Sequence, residues 1–216
     1  MTVQHHPSES LLEAFAAGAL DQGQHIAVAT HLVHCTDCRA WVRTMEYVGG
    51  EVLAALPPAA MSSGAFNRIE SRLTEPAPLA QSAVPPPNGL ADIPGLPSFV
   101  RRLPAGQWIW VAPCLYLRRV LLPESEATRV FLLKSNAGTR LLPHAHTGLE
   151  MTCVLTGSFS HDGRRYGPGD FDLGDPGVDH EIAIGPESDC ISLVAMQGEL
   201  KLKGLLGRLV QPLISL

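Results

Sequence analysis

The sequence predicts a multidomain α + β protein, with a small N-terminal helical bundle followed by a C-terminal all-β barrel. Three observations support this fold class. Residues 8–74 carry apolar residues at helical spacing, residues 75–97 are rich in proline, and residues from Phe99 onward alternate short apolar runs with turn signals. The predicted boundaries are therefore a helical domain over residues 1–75, a semi-rigid linker over 76–97 that is not a buried element, and a β domain over 98–216.

Three helices are predicted before the first proline pair. Ser10 and Glu13 have the spacing of a capping box at the start of the first helix. The second helix carries His31 near its end, and Thr36 or Asp37 caps a third helix that runs to about Leu56. The following prolines stop it, because proline cannot continue a helix.

A fourth, short helix is predicted over Met61–Thr74. Its apolar residues Phe66, Ile69 and Leu73 share one face. In a bundle this small, the stripe has two readings: it belongs to the core, or it faces a partner protein.

The C-terminal part shows no long helical pattern before Leu200. Strands are predicted at Trp108–Val111, Leu115–Leu122, Arg129–Leu133 and Met151–Leu155. The strands predict an all-β barrel or sandwich, and we expect the sheet to close on itself, because closure removes exposed strand edges.

Composition excludes several classes of protein. The chain of 216 residues has a formal net charge of −5, which argues against direct nucleic-acid binding through phosphate neutralisation. No apolar run reaches the roughly 18 residues of a membrane span, and the N-terminus lacks a secretory signal pattern. Five cysteines, mostly far apart, do not indicate a disulfide framework, so a cytoplasmic location is expected.

One candidate metal site surrounds a C-x2-C pair. Cys35 and Cys38 supply two thiols, and His31 lies four residues before the first of them. Such a set suits zinc and needs a fourth ligand, which the His5-His6 pair would supply, with His25 in reserve. The alternative is a redox-active cysteine pair.

A second candidate metal site lies in the β part. The pattern is Gly138-x5-His144-x-His146-x3-Glu150-x6-Gly157, and alternation along a strand places the two histidines on one face. His180 offers a fourth ligand from a neighbouring strand. Three imidazoles and one carboxylate suit zinc, manganese, iron or nickel, whereas the alternative is two chance histidines on a surface strand.

These residues resemble known families. Residues 138–157 match the first motif of the cupin superfamily, and Gly169, Gly177 and His180 fit its second motif. The N-terminal part is similar to the zinc-binding anti-sigma domain. That domain followed by a cupin domain is the arrangement of the ChrR family of anti-sigma factors, and the resemblance covers essentially the whole chain.

The resemblance implies a regulatory protein with no catalytic residues. Such proteins hold an ECF-type sigma factor inactive in the cytoplasm and release it after singlet oxygen or related oxidative stress, sensed through the cupin domain. It implies zinc in the N-terminal domain and zinc or another first-row divalent metal in the cupin. The implied metal ligands are His6, His31, Cys35, Cys38, His144, His146, Glu150 and His180. The alternative function is a cupin dioxygenase or isomerase with an accessory zinc-binding domain.

Overall fold

A computed structural model describes residues 2–73, 75, 89–122, 127–141, 144–174 and 182–202, without the side chains of residues 145, 146 and 200–202. The predictions for His180, for residues 76–88 and for residues 203–216 lie outside this part of the chain. None of the described helices combines the length and the hydrophobicity that crossing a bilayer requires.

The N-terminal part is helical, as predicted, and a single further turn of helix precedes the strands. The helices are α1 Glu9–Ala16, α2 Gln22–His34, α3 Thr36–Ala54, α4 Ala65–Leu73 and α5 Ser98–Arg101.

The first two helices begin at polar caps. The Ser8 hydroxyl accepts the Leu11 N–H at 3.3 Å, so the cap of α1 is Ser8 and the predicted Ser10 is wrong. Asp21 and Gln24 form a capping box at the start of α2. Both caps satisfy backbone N–H groups that have no partner within the helix.

Helix α3 begins at a cysteine. Cys35 separates α2 from α3 with an extended backbone, and its sulfur accepts the Cys38 N–H at 3.4 Å. Thr36 and Asp37, the predicted caps, therefore lie inside the first turn. Because one residue breaks the helix, the end of α2 and the start of α3 stay close together.

The C-terminal part is built from short strands, as predicted. They are β1 Ile109–Ala112, β2 Leu115–Val120, β3 Arg129–Ser135, β4 His144–His146, β5 Glu150–Thr156, β6 Phe159–His161, β7 Arg164–Tyr166, β8 Phe171–Gly174, β9 Ile182–Ile184, β10 Cys190–Met196 and β11 Leu200–Leu202.

The described strands form three antiparallel sheets. A six-stranded sheet has the order β1-β2-β3-β10-β5-β8, a three-stranded sheet the order β7-β6-β9, and β4 pairs with β11. The prediction of a β-sheet domain is confirmed. The described strands do not form the closed barrel that was also predicted, because no hydrogen-bonded ladder joins the three sheets within the described residues.

The helical part and the six-stranded sheet share one hydrophobic core. Ile26 and Val28 of α2 belong to the same buried cluster as Met151 and Cys153 of β5 and Leu193 of β10. The predicted domain boundaries remain predictions, but the described residues of the two parts are packed against each other.

The described end of the predicted linker is buried. Leu90, Ile93 and Leu96 are 0%, 4% and 2% exposed and belong to the shared core. The prediction that this stretch is not a buried element is therefore wrong at Leu90, Ile93 and Leu96. The three side chains recur every third residue, and their burial removes apolar surface from water, which outweighs the extended preference of the flanking prolines.

Candidate metal centre

Four predicted ligands converge at the α2–α3 junction. One ligand atom each from His6, His31, Cys35 and Cys38 lies within 4.8 Å of the others. His31 is in the last turn of α2, Cys35 is the junction residue and Cys38 is in the first turn of α3. His6 arrives from the extended segment before α1.

Local geometry explains the convergence of the three helical ligands. Residues four apart lie on the same face of a helix, which places His31 beneath Cys35. The Cys38 N–H bond to the Cys35 sulfur then turns the second thiol towards the first. All three side chains are buried, whereas His6 is exposed.

His6 closes the cluster through one ring nitrogen. Its Nδ1 lies 3.4 Å from the sulfur of Cys35 and 3.4 Å from the sulfur of Cys38. Two sulfurs and imidazole nitrogens at one point form the donor set that zinc prefers in structural sites.

His31 is prepared to act as a neutral ligand. Its Nδ1 lies 2.8 Å from the carbonyl oxygen of Gly169, and because a carbonyl only accepts, Nδ1 carries the proton. The other nitrogen, Nε2, is buried without a hydrogen-bond partner among the described residues. Burial lowers the pKa of His31 to about 4, so the ring is neutral at pH 7. A buried lone pair of this kind fits a metal ion.

The two thiols make metal binding at this cluster depend on pH. Burial, followed by the hydrogen bond with Cys35, raises the pKa of Cys38 to about 12. Without a metal, this sulfur therefore keeps its proton at pH 7. A bound cation reverses that preference, and metal binding then releases protons.

The two other candidate histidines for this site are engaged elsewhere. The His5 ring packs against Tyr166 with ring centroids 4.2 Å apart and the planes tilted by 31°, and its Nε2 donates to the Arg165 carbonyl at 3.1 Å. His25 stacks on Phe15 with ring centroids 4.3 Å apart. The structure thus brings His6 to the cluster and leaves His5 and His25 outside it.

The second predicted site is described only in part. His144 begins β4 and is buried, and Glu150 begins β5, where its carboxylate accepts the Thr152 hydroxyl at 3.3 Å. The side chain of His146 and all of His180 lie outside the described residues. The cupin metal site therefore remains a prediction.

Apolar side chains are exposed on helices α3 and α4. The α4 residues Phe66, Ile69 and Leu73 are 69%, 56% and 81% exposed, and α4 has no buried residue. Helix α3 and the segment after it add further exposed apolar residues, namely Tyr47, Val48, Val52, Leu53, Leu56 and Met61. Of the two readings of the α4 stripe, the structure excludes the core.

The sequence did not identify the residues of the β part that contact the metal cluster. In the sequence, the turn that joins β7 to β8, residues 167–170, shows a turn signal and, at Gly169, a match to the second cupin motif. Its Gly169 binds His31, and its Asp170 accepts the backbone N–H groups of Gln4 and His5. A Gly-Pro-Gly-Asp turn reveals no long-range partner, so the pattern alone does not indicate this contact.

The class of protein is defined by a helical part whose cysteine–histidine cluster could hold a metal, packed on a β part of short antiparallel strands. A family model described as the ChrR cupin-like domain matches residues 98–199. The anti-sigma-E factor ChrR of Cereibacter sphaeroides is 34% identical over 216 residues, which cover 98% of each chain. The crystal structure of Rhodobacter sphaeroides SigE in complex with the anti-sigma ChrR contains a similar chain, with a TM-score of 0.74 and 30% identity, covering 91% of this chain and 100% of that one.

The chain belongs to the ChrR family of anti-sigma factors, as its residues predicted. The expectation of a regulatory protein rather than an enzyme is confirmed by this relationship.

Proposed function

We propose that this protein binds an ECF-type sigma factor, keeps it from RNA polymerase in the cytoplasm, and releases it in response to singlet oxygen or related oxidative stress. The observation that carries the proposal is the whole-chain relationship to ChrR, because the related crystal structure is a complex of ChrR with SigE. The division into domains over residues 1–75 and 98–216 belongs to this proposal: the first holds the sigma factor and the second responds to the signal.

The exposed apolar residues of α3 and α4 supply a surface for the sigma factor. Phe66, Ile69 and Leu73 lie along one face of α4 and are left in water in the free protein. An amphipathic helix of this kind binds by placing its apolar face in a hydrophobic groove of its partner. Burying large side chains that are already on the surface contributes favourable free energy to the complex without dismantling the core.

Zinc in the N-terminal site has a structural role in this proposal. The residues that would hold it are Cys35 and Cys38 through their sulfurs, His31 through Nε2 and His6 through Nδ1. A bound zinc ion would supply the positive charge that favours the thiolate form of both buried sulfurs. The chain's own residues then fix the angle between α2 and α3 and tie the segment before α1 to that junction.

Oxidant sensing is assigned to the β part. In this proposal His144, His146, Glu150 and His180 would hold zinc or another first-row divalent metal in the cupin domain. Oxidant chemistry at this site would change the β part so that the free sigma factor is favoured over its complex with this protein. Effector coupling of this kind amounts to about 1–3 kcal/mol in typical allosteric proteins.

The first experiment tests the binding function. The purified full-length protein should form a stoichiometric complex with an ECF-type sigma factor and inhibit its transcription in vitro. Cys35→Ser and Cys38→Ser should lose zinc and the inhibition, whereas Cys114→Ser, an exposed cysteine outside the cluster, should keep both. A protein that binds no sigma factor and turns over a small molecule would contradict the proposal.

The second experiment separates binding from sensing. His146→Ala and Glu150→Ala should still inhibit the sigma factor but should release it more slowly under illumination with a singlet-oxygen photosensitiser. The measurement is the fraction of complex remaining with time. If these variants behaved like Cys35→Ser, the assignment of the two functions to two sites would be wrong.

A further inference from the structure

The turn that joins β7 to β8, Gly167–Asp170, contacts His31 and the segment that precedes His6. We propose that this turn positions His31 and His6 for the metal, so that the β part completes the metal centre of the helical part and metal binding is coupled to the docking of the two parts. The inference rests on the metal binding proposed above. It adds that a turn of the β part orients the two histidine ligands, and that this turn connects the helical part to the β part.

The first contact sets the orientation of His31. The Gly169 carbonyl accepts the His31 Nδ1–H at 2.8 Å across 138 residues of chain. This hydrogen bond directs Nε2 into the cluster and fixes the tautomer that can bind a metal. Partners that hold the second nitrogen of a metal-binding histidine in this way contribute to metal affinity.

The second contact holds the segment that carries His6. The buried Asp170 carboxylate accepts the N–H groups of Gln4 at 2.6 Å and His5 at 3.0 Å, and its other oxygen accepts the Gly167 N–H at 2.8 Å. The Phe171 N–H donates to the His5 carbonyl at 3.0 Å. Because His6 directly follows this anchored segment, its ring has a short and defined reach to the two sulfurs.

The fit between the turn and the helical part is close. Gly169 has φ +91°, and a Cβ atom there would lie 2.6 Å from His34 Cβ and 2.9 Å from Val3 Cγ2. Real Cβ atoms do not approach carbon this closely, so any larger residue must push α2 or the N-terminal segment away from the turn. The interface therefore depends on glycine at this position.

The same turn leads directly to the second candidate site. Strand β8 begins at Phe171, opposite Cys153 of β5, and ends at Gly174, opposite Glu150. A shift of β8 at Gly174, opposite Glu150, would therefore be transmitted along this short strand to the Gly169 carbonyl, which binds His31. Coupling is reciprocal at equilibrium, so loss of the N-terminal metal should in turn weaken the docking of the turn.

Two glycine substitutions test the positioning role. Gly169→Ala introduces a clash with His34 and Val3, whereas Gly163→Ala places the same residue at φ +72° with no atom within 4 Å. Zinc affinity is measured in the full-length protein by competition with a chromogenic chelator. We expect Gly169→Ala to weaken zinc binding by about 10–100-fold, as outer-shell changes do, and Gly163→Ala to match the wild type. Equal affinities in the two variants would overturn the inference.

A second pair of variants covers the case in which Gly169→Ala does not fold. Asp170→Asn nearly conserves volume but replaces one acceptor oxygen with a donor, and Asp189→Asn makes the same change at an ion pair with Lys134. Only Asp170→Asn should speed zinc release, and removing zinc from the wild type should raise hydrogen exchange at the Phe171 amide. Unchanged release and exchange would refute the coupling. A wild type that binds no zinc would instead refute the metal site itself.

Discussion

The Thr128 hydroxyl donates a 2.5 Å hydrogen bond to Asp21 Oδ2, across 107 residues of chain. The other oxygen of the same carboxylate accepts the Gln24 N–H at 2.9 Å and caps α2. One side chain thus both starts the helix that carries His31 and joins it to the β part. Gly23 completes the contact, because a Cβ there would lie 2.7 Å from Thr128 Cβ.

Replacing Asp21 should therefore cost more than replacing an ordinary helix cap. Asp21→Ala removes the cap and leaves the buried Thr128 hydroxyl without its acceptor, so we expect the free energy of unfolding to fall by about 2–4 kcal/mol. The control is Ser8→Ala. Ser8 caps α1 without reaching the β part, so its loss should lower the free energy of unfolding by about 0.5–2 kcal/mol. Urea denaturation measures both, and equal losses would contradict the dual role.

The stability of the metal-free protein should depend on pH through His31. Burial lowers the pKa of His31 to about 4 from the ordinary 6.5. Between these values the unfolded chain binds a proton that the folded protein excludes. Stability is therefore full above pH 6.5 and falls as the pH drops towards 4, by about 3 kcal/mol at most.

The pH prediction is checked by denaturation of the chelator-treated protein between pH 7.5 and pH 4. Burial also lowers the pKa of His25, which therefore destabilises the protein in the same direction as the pH falls. The contribution of His31 is obtained as the difference in pH-dependent stability between the wild type and a variant at residue 31. His31→Asn can still donate to the Gly169 carbonyl but does not titrate, and it should show a shallower loss. A variant with the same pH profile as the wild type would contradict the assignment to His31.

Substitutions on α4 should affect partner binding and leave stability unchanged. Phe66→Ser and Leu73→Ser alter exposed side chains, so the free energy of unfolding should change by less than about 0.5 kcal/mol. Binding to an ECF-type sigma factor should weaken by about 1–2 kcal/mol for each, or roughly tenfold. Asn67→Ala, also exposed on α4, is the control and should bind normally. Normal binding by all three variants would exclude α4 from the interface.

The two glycines that bound the first cupin motif should differ in their tolerance of alanine. Both have positive φ, +73° at Gly138 and +70° at Gly157, which costs alanine about 1–2 kcal/mol. A Cβ at Gly138 meets no atom within 4 Å, whereas at Gly157 it would lie 2.4 Å from the Asp189 carbonyl oxygen. Gly157→Ala should therefore be less stable than Gly138→Ala by at least about 1 kcal/mol in thermal or urea unfolding. Equal stabilities would show that the loop at Asp189 moves freely.

The sequence predicted those features that depend on local spacing. His31, Cys35 and Cys38 come together because they lie within two adjoining helical turns, and the strands follow from alternating short apolar runs. The choice of His6 over His5 came from the family resemblance. The structure gives the physical reason, since His5 is held by Tyr166 and Arg165.

The features that the sequence did not predict depend on long-range contacts. The caps of α1 and α3 were misplaced because several polar residues near each start can cap, and packing selects among them. Proline content concealed the burial of Leu90, Ile93 and Leu96, although their regular spacing was a signal. The contact between Gly169 and His31 joins residues 138 apart, which no local pattern encodes.

The backbone bond between His5 and Phe171 has a consequence for handling the protein. Strand β8 is the last strand of its sheet within the described residues, and the N-terminal segment lies along its open side. Trimming the first five residues would expose that edge to neighbouring molecules, and exposed edges recruit strands from other chains. Preparations shortened at this end should therefore self-associate, and affinity tags are better attached elsewhere.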